Sequence, residues 1–272
     1  MRGRALVALV VGVLCAGAGT SYAQRIFAGF YGSTPARRPT ANSFQGGFTF
    51  CRVMFNSDRR DKRGWETDYP GAEINFSIRL AELTKTRVAR QATGTDPEYV
   101  VVRLIDPELF KCPYVLFTDA GTMRLSDAEV VSFRDYLLKG GFAFVSDYWG
   151  VAAREQFDEE ISQVLPPHVY PVIDLPIEHP LWSTQFAMKD VPQMPSIQSW
   201  RRGGGQTDRG VTDPVEARAI TDDKGRLMVV MMHNTDIPDS WEREGEDPEY
   251  FYRFSPDGYA VGINVFLYAI TH

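Results

Sequence analysis

Apolar and polar positions change period several times along this chain, and the changes predict strands that alternate with helices. Short apolar runs predict strands at 48–55, 87–89, 99–104, 114–118 and 142–145. Apolar residues at helical spacing predict helices at 69–84, 126–139 and 151–164. The second of these helices opens with a Ser126-Asp127-Ala128-Glu129 capping box, in which Ser126 and Glu129 satisfy the first free backbone groups.

The second half of the chain is less regular. Residues 166–213 are rich in proline and glycine and predict long loops with one small strand at 170–174. A hairpin is predicted from strands at 217–221 and 226–232, around the turn 222–225. The apolar run at 259–270 predicts a last helix, capped by Ser255 or Asp257.

Strands that are apolar on both faces and alternate with helices predict an α/β fold, with a mostly parallel sheet and helices on both faces. We expect one domain over 48–272. In such sheets ligands bind beyond the carboxyl ends of the strands. We therefore expect four loops to share one rim, at 56–58, 119–121, 146–149 and 233–236.

The amino terminus has the pattern of a secretory signal peptide: two arginines, an apolar run at 5–19 and small residues at 21 and 23. We expect cleavage after residue 23, a flexible lead-in at 24–47 and a secreted or periplasmic protein. An uncleaved anchor and a lipoprotein at Cys15 are alternatives. Outside this segment the cysteines are Cys51 and Cys112, which are either bridged or two buried thiols.

The net charge argues against two classes of partner. The chain has 29 Lys and Arg against 35 Asp and Glu, with a formal net charge of −6. An acidic chain without a basic stripe is a poor candidate for binding nucleic acid or anionic lipid.

Several segments resemble one bacterial family in their order along the chain. They are GWETDYPGAEINFSIRLAELT (64–84), IDPELFKCPYVLFTDAG (105–121), GGFAFVSDYWG (140–150), EHPLW (178–182), RLMVVMMHNTDIPDSWE (226–242) and GINVFLYAIT (262–271). The chain is identified by them as a member of the domain-of-unknown-function family 4159. The resemblance implies a flavodoxin-like α/β fold of the class I glutamine amidotransferase-like type, but a shared fold does not transfer a reaction.

The chain departs from that type at the nucleophile. A glutamine amidotransferase has a Gly-x-Cys-x-Gly elbow, whereas this chain has Ser146-Asp147-Tyr148-Trp149-Gly150 there. Counting back from Gly150 puts Tyr148 at the nucleophile's place, and Asp147 is the other candidate. Cys51 and Cys112 lie in other segments, so glutaminase activity is not expected.

Candidate chemistry at the rim rests on Asp147 and His233. Asp147 could be a nucleophile, a base or the cap of the next helix. His233 takes roughly the place of the superfamily's catalytic histidine and could be oriented by Asp236; otherwise it is structural. Tyr148 and Trp149 could stack on a ligand or pack under a helix.

Three further residues are candidates for ligand binding: Trp65 and Asp68 in the WETDYP string and Asp119 after the third strand. Asp68 could equally cap the helix that follows it. The acid-rich run 236–249 lacks the spacing of a calcium loop and is expected to be solvated. The glycine-rich 201–206 lacks the lysine and the spacing of a phosphate loop.

These observations lead to one functional hypothesis and two alternatives. The first is a glutaminase-inactive envelope module, with neither cofactor nor metal, that binds a saccharide, peptide or envelope protein at the rim. The residues expected to bind it are Asp147, Tyr148, Trp149, His233 and Asp236. The second is a hydrolase of an envelope polymer that uses Asp147 and His233 as an acid–base pair. In the third, an exposed face of the apolar helix at 261–270 joins the domain to an envelope assembly.

Overall fold

One central sheet of seven strands organises the fold. Its strands are β1 Phe50–Met54, β3 Tyr99–Arg103, β4 Val115–Phe117, β6 Ala143–Val145, β7 Val172–Asp174, β8 Glu216–Thr221 and β9 Leu227–His233. They lie in the order β3-β1-β4-β6-β9-β8-β7. The five strands from β3 to β9 are parallel, while β8 and β7 pair antiparallel at one edge. The predicted mostly parallel, flavodoxin-like α/β sheet is confirmed.

The computed structural model describes residues 34–59, 64–92, 94–203 and 205–272. Residues 36–272 form one compact unit. The predicted signal peptide and the first ten residues of the predicted lead-in lie outside the described residues. The described part of the lead-in contacts the domain, since Arg37 pairs with Glu98 and Arg38 with Asp106.

The helices agree with the periodicity in the first part of the chain. They are α1 Gly71–Leu83, α2 Asp127–Leu138, α3 Gly150–Val164, α4 Ile197–Gly203, α5 Asp239–Glu242 and α6 Pro248–Thr271. The capping box of α2 is confirmed, because the backbone N–H of Ser126 donates to Glu129 Oε2 at 2.9 Å. A short two-stranded ribbon, β2 Asn56–Ser57 with β5 Met123–Arg124, extends the rim beyond β1.

The last helix begins earlier than predicted. Asp247, not Ser255 or Asp257, caps α6, because its side chain accepts hydrogen bonds from the backbone N–H groups of Glu249 and Tyr250. Pro256 lies inside this helix instead of in front of it. Ser255 instead joins α6 to α5, since its hydroxyl donates to the carbonyl of Ser240 at 2.7 Å.

The apolar segment of α6 is largely covered by the rest of the domain. Residues 261–266 are all buried, and the exposed large apolar side chain in this part of the helix is Ile270. This burial removes the support for an assembly through an exposed apolar face. Within the described ranges, no helix combines the length and apolar character that a membrane span requires.

A disulfide joins Cys51 to Cys112, so the choice that the sequence leaves open is settled in favour of a bridge. It ties the beginning of β1 to the segment that leads into β4. These two strands are neighbours in the sheet. The bridge therefore lies at the end of the sheet away from the rim.

The short helix α5 packs against two helices, α1 and α6. The side-chain amide of Asn75 in α1 donates to the carbonyl of Trp241 at 2.8 Å. On the other side, Gly258 of α6 faces Ser240 so closely that an added Cβ would overlap Ser240 Oγ and approach Ser240 Cβ to 2.9 Å. The position of α5 therefore depends on a glycine in α6.

We expect Gly258→Ala to lower the free energy of unfolding by about 1–3 kcal/mol, because the added methyl group must displace α5 or α6. Urea unfolding followed by tryptophan fluorescence measures the change. Gly203→Ala is the matched control, because a Cβ at Gly203 meets no atom within 4 Å. Equal stability of the two variants would contradict the close packing of α5 on α6.

Candidate functional site

The loops at the carboxyl ends of the parallel strands meet, as the sheet topology predicts. The loop after β6 contacts the loop after β9, because the N–H of Asp147 donates to Thr235 and that of Asn234 donates to Tyr148, both at 3.0 Å. The loops after β1 and β4 are joined by a 2.9 Å hydrogen bond between Ser57 and Thr122. Between them, the N–H of Ser146 donates to the carbonyl of Phe117 at 3.0 Å, which joins β4 to β6, so the rim is continuous from β1 to β9.

Left-handed backbone marks this rim. Among the described residues, the non-glycine residues with positive φ are Asp68, Asp119, Asp147, Arg209 and Asn234, with φ between 49° and 65°. Asp and Asn tolerate this conformation better than other residues, but arginine rarely adopts it. Such conformations concentrate at functional sites because the surrounding structure must hold them in place.

Asp147, not Tyr148, takes the strained turn between β6 and α3. This is the kind of strand-to-helix turn that presents a nucleophile in many α/β enzymes. Tyr148 lies in the core, with its ring 5.4 Å from that of Phe157 and 5.0 Å from that of His233. Its ring therefore packs inside the domain and offers no face to a ligand.

Asp147 does not cap the following helix. The side chain of Asn234 accepts the hydrogen bond from the N–H of Gly150 at 2.9 Å, at the start of α3. The carboxylate of Asp147 instead accepts from Arg209 Nη2 at 3.0 and 3.1 Å and from Trp149 Nε1 at 3.3 Å. Trp149 is buried and acts here as a hydrogen-bond donor.

Two arginines cover two buried carboxylates at the solvent-exposed side of the rim, which we call the mouth of the site. Arg209 also donates to Asp119 Oδ1 at 2.9 Å, while Arg59 donates to Asp119 Oδ2 at 2.7 Å. The side chains of Arg59 and Arg209 are 39% and 41% exposed, whereas those of Asp119 and Asp147 are at most 1% exposed. We call Arg59 and Arg209 the arginine pair.

Sequence reasoning missed Arg209. It follows the glycine-rich stretch 201–206, which lies in a predicted long loop and lacks the features of a phosphate loop. Its partners are 90 and 62 positions away along the chain, so no local spacing points to them. An Asp208-Arg209-Gly210 turn within a long loop was the only local signal.

Beneath the arginine pair lies a cluster of five carboxyl groups, the acidic cluster: Asp68, Asp147, Asp236, Asp239 and Glu242. They form two overlapping groups of three, Asp68–Asp147–Asp236 and Asp68–Asp239–Glu242. Within each group, one oxygen from every residue lies within 4.8 Å of the others. The prediction that 236–249 is a solvated acidic loop is wrong for 236–242, because Ile237 and Trp241 anchor this segment in the core.

Burial raises the pKa of every member of the acidic cluster, because it disfavours the charged form. The pKa of Asp147 rises to about 7, with the positive charge of Arg209 opposing the shift. The pKa of Glu242 rises to about 7 and that of Asp239 to about 6. The pKa values of Asp68 and Asp236 are well above their usual range, through burial and then through repulsion by neighbouring carboxylates.

A buried arginine shapes the segment that carries Asp68. Arg52 in β1 donates to the carbonyls of Trp65 and Thr67 at 3.1 and 2.6 Å and forms an ion pair with Glu73 in α1. Neither Arg52 nor Glu73 has any exposed side-chain surface. Trp65 is itself buried, so it supports this segment and offers little surface to a ligand.

Asp68 does not act as the helix cap that the sequence suggested. Pro70 holds the N-cap position of α1 and no side chain caps it there. Asp68 contributes only its backbone carbonyl, which accepts from the N–H of Ala72 at 3.0 Å. Its carboxylate Oδ2 is buried and has no hydrogen-bond partner among the described residues.

His233 has a different set of partners from Asp147. Its Nε2 donates to the carbonyl of Gly150 at 3.0 Å, and its Nδ1 lies 3.4 Å from Glu216 Oε2. Burial lowers the pKa of His233. No hydrogen bond or ion pair connects Asp147 and His233 among the described side chains, so the geometry gives no support to an acid–base pair. Asp236 does not orient His233 either: its Oδ1 accepts from the N–H of Asp239 at 3.1 Å.

Fold and site together define an α/β domain that carries buried carboxylates at the ends of its parallel strands. The chain belongs to the family described as domain of unknown function DUF4159, which matches residues 49–270. The family membership that the sequence segments predicted is thus confirmed. No curated protein matches the chain significantly.

The raised pKa of Asp147 predicts that the free energy of unfolding depends on pH. An acid whose pKa is higher in the folded than in the unfolded state binds more protons when folded, so it destabilises the fold as pH rises between the two values. We expect Asp147→Asn to gain stability relative to the original chain as pH rises from about 5 to 8, because the variant lacks this titration. Urea unfolding in a chelating buffer measures the difference at each pH.

The stability of the variant must be compared with that of the original chain at each pH, because His233 contributes a pH dependence of stability with the opposite sign. Its lowered pKa makes the fold more stable as pH rises through the unfolded value, and this contribution is present in both proteins. The pH dependence of the stability difference therefore reports on Asp147 and the groups coupled to it. A difference that is constant from pH 5 to 8 would contradict the raised pKa.

Proposed function

We propose that this chain is a ligand-binding α/β domain of the bacterial cell envelope that lacks glutaminase activity, although its fold is of the amidotransferase-like type. One observation carries the proposal: Asp147 occupies the strained strand-to-helix turn and is held through both oxygens by Arg209. A carboxylate in that pairing is a poor nucleophile. The one histidine at a strand end of the rim, His233, is engaged elsewhere.

The arginine pair suggests the chemistry of the ligand. The side chains of Arg59 and Arg209 are about 40% exposed, and their guanidinium groups contact the buried carboxylates. A guanidinium presents N–H donors in a planar fork that suits carboxylate and phosphate groups. We therefore infer a ligand with carboxylate or phosphate groups, such as an acidic envelope peptide or an anionic envelope saccharide.

Recognition by aromatic stacking receives less support. The sequence makes Tyr148 and Trp149 candidates for stacking on a ligand and Trp65 a candidate for ligand binding, but all three side chains are at most 6% exposed. Polar recognition at the mouth therefore fits the structure better than aromatic recognition. The hydrolase hypothesis loses its acid–base pair and is not carried forward.

The test uses the full chain and two assays. The first measures ammonia release from glutamine, for which we expect no rate above the protein-free background. The second measures binding to soluble acidic peptides, phosphorylated peptides and anionic saccharides by calorimetry. We expect one of these classes to bind and the double variant Arg59→Gln/Arg209→Gln to weaken that binding at least tenfold.

Arg90→Gln is the matched control for the double variant. Arg90 is an exposed arginine that pairs across to Pro97 at the amino-terminal side of β3, so the variant should keep full affinity. Glutamine hydrolysis that Asp147→Asn abolishes would refute the absence of glutaminase activity. Affinity that is unchanged in the double variant would refute binding at the arginine pair.

A further inference from the structure

The acidic cluster contains one group of three carboxyl groups that is deeper than the rest. Asp68, Asp147 and Asp236 are 7%, 0% and 2% exposed. One oxygen from each lies within 4.8 Å of the other two. Carboxylates at such distances, away from water, repel one another strongly unless protons or a positive charge lie between them.

The two groups of the acidic cluster differ in the ion pairs that they form with arginine. We call Asp68–Asp147–Asp236 the inner group and Asp68–Asp239–Glu242 the outer group. Arg243 lies 3.5 Å from Asp239 and 2.7 Å from Glu242, so it offsets the charge of the outer group. In the inner group Asp147 pairs with Arg209, but no lysine or arginine forms an ion pair with Asp68 or Asp236 in the described part of the chain. The inner group therefore has three carboxyl groups and one ion-paired guanidinium, while the charge of Arg52 acts on Asp68 without an ion pair.

Asp68 supplies a second, independent indication of a ligand. Its side chain is more than nine-tenths buried, and its Oδ2 has no hydrogen-bond partner among the described residues. Buried polar atoms are nearly always paired, so an unpaired carboxylate oxygen needs an explanation. The carboxylate contributes an oxygen to both groups of the acidic cluster, and it does not cap α1.

We propose that Asp68, Asp147 and Asp236 form a binding site for one hard divalent cation of the Mg²⁺, Mn²⁺ or Ca²⁺ class. The set consists only of carboxylate oxygens, which these cations prefer, whereas zinc and copper sites usually include histidine or cysteine. Water would complete the coordination. The proposal replaces the expectation from the sequence that the site holds no metal.

The three carboxylates come from three separate parts of the chain. Asp68 precedes α1, Asp147 follows β6 and Asp236 follows β9. A cation at this point joins the two middle strands of the sheet to α1. The inference is independent of the proposed function, because it concerns the chain alone and requires neither an envelope ligand nor a reaction.

The direct test is a titration of the full chain with Mn²⁺ after treatment with a chelator, followed by electron paramagnetic resonance of the free ion. We expect one tightly bound Mn²⁺ per chain, displaced by Mg²⁺ or Ca²⁺ in excess. Asp68→Asn should weaken Mn²⁺ binding at least tenfold, because it replaces a charged ligand with a neutral one. Asp223→Asn is the matched control, since Asp223 is exposed in the β8–β9 turn.

Thermal unfolding keeps the test independent of a folding defect. At one Mn²⁺ concentration near the affinity of the original chain, the ion should raise the unfolding temperature of the original chain and of Asp223→Asn clearly more than that of Asp68→Asn, because stabilisation depends on the fraction of chains that hold the ion. In chelator, Asp68→Asn should be at least as stable as the original chain, because it removes a charge from a repulsive cluster. Asp236→Asn provides a second variant with the same expectations.

Two results would overturn the cation site. One is the absence of stoichiometric Mn²⁺ binding to the original chain. The other is Mn²⁺ affinity that both Asp68→Asn and Asp236→Asn leave unchanged. Neither result bears on glutaminase activity or on the arginine pair, so failure here is distinguishable from failure of the proposed function.

Discussion

The structure depends on one electrostatic constraint: several carboxyl groups lie close together and out of water at the ends of parallel strands. Each charged carboxylate is destabilised by burial and by its neighbours, so the fold must supply a proton or a positive charge. Arg209 and Arg243 supply two positive charges to the acidic cluster. The raised pKa values of Asp147, Asp239 and Glu242 show that this compensation is incomplete. Burial outweighs the charge that these arginines supply, so protons or further positive charge stabilise the acidic cluster.

The core beneath the site shows why the acidic cluster keeps its geometry. Arg52 is fully buried, yet it is an integral part of β1 and contacts two carbonyls of the segment before Asp68. Its ion pair with Glu73 fixes α1 relative to the sheet. Removing one partner of such a buried pair leaves an uncompensated charge, which is strongly destabilising. A rigid polar connection under the site thus holds Asp68 in a conformation that aspartate alone would rarely adopt.

Hydrophobic periodicity was sufficient for most of the fold, because buried strands and one-sided helices leave a local record in the sequence. The rule for parallel sheets also placed Asp119, Asp147 and Asp236 on a common rim. Local patterns could not show that 236–242 is buried, because an acid-rich run has the composition of a solvated loop. Its burial follows from Ile237 and Trp241, which pack into a core built from distant segments. The role of Arg209 was hidden for the same reason, since both of its partners are far away in sequence.

An aspartate at the strained turn needs different surroundings from those of a cysteine nucleophile. A cysteine nucleophile requires a nearby base to form the thiolate, whereas a buried aspartate requires a counter-charge. Arg209 supplies that charge from the solvent-exposed side of Asp147. On the buried side, Asp68 and Asp236 lie where the proposed cation would bind. Both sources meet at the same carboxylate, Asp147. A ligand that draws the guanidinium of Arg209 toward itself leaves Asp147 more negative, which favours a cation, and thermodynamic linkage makes the effect reciprocal. Asp147 is therefore the residue that the arginine pair and the acidic cluster share.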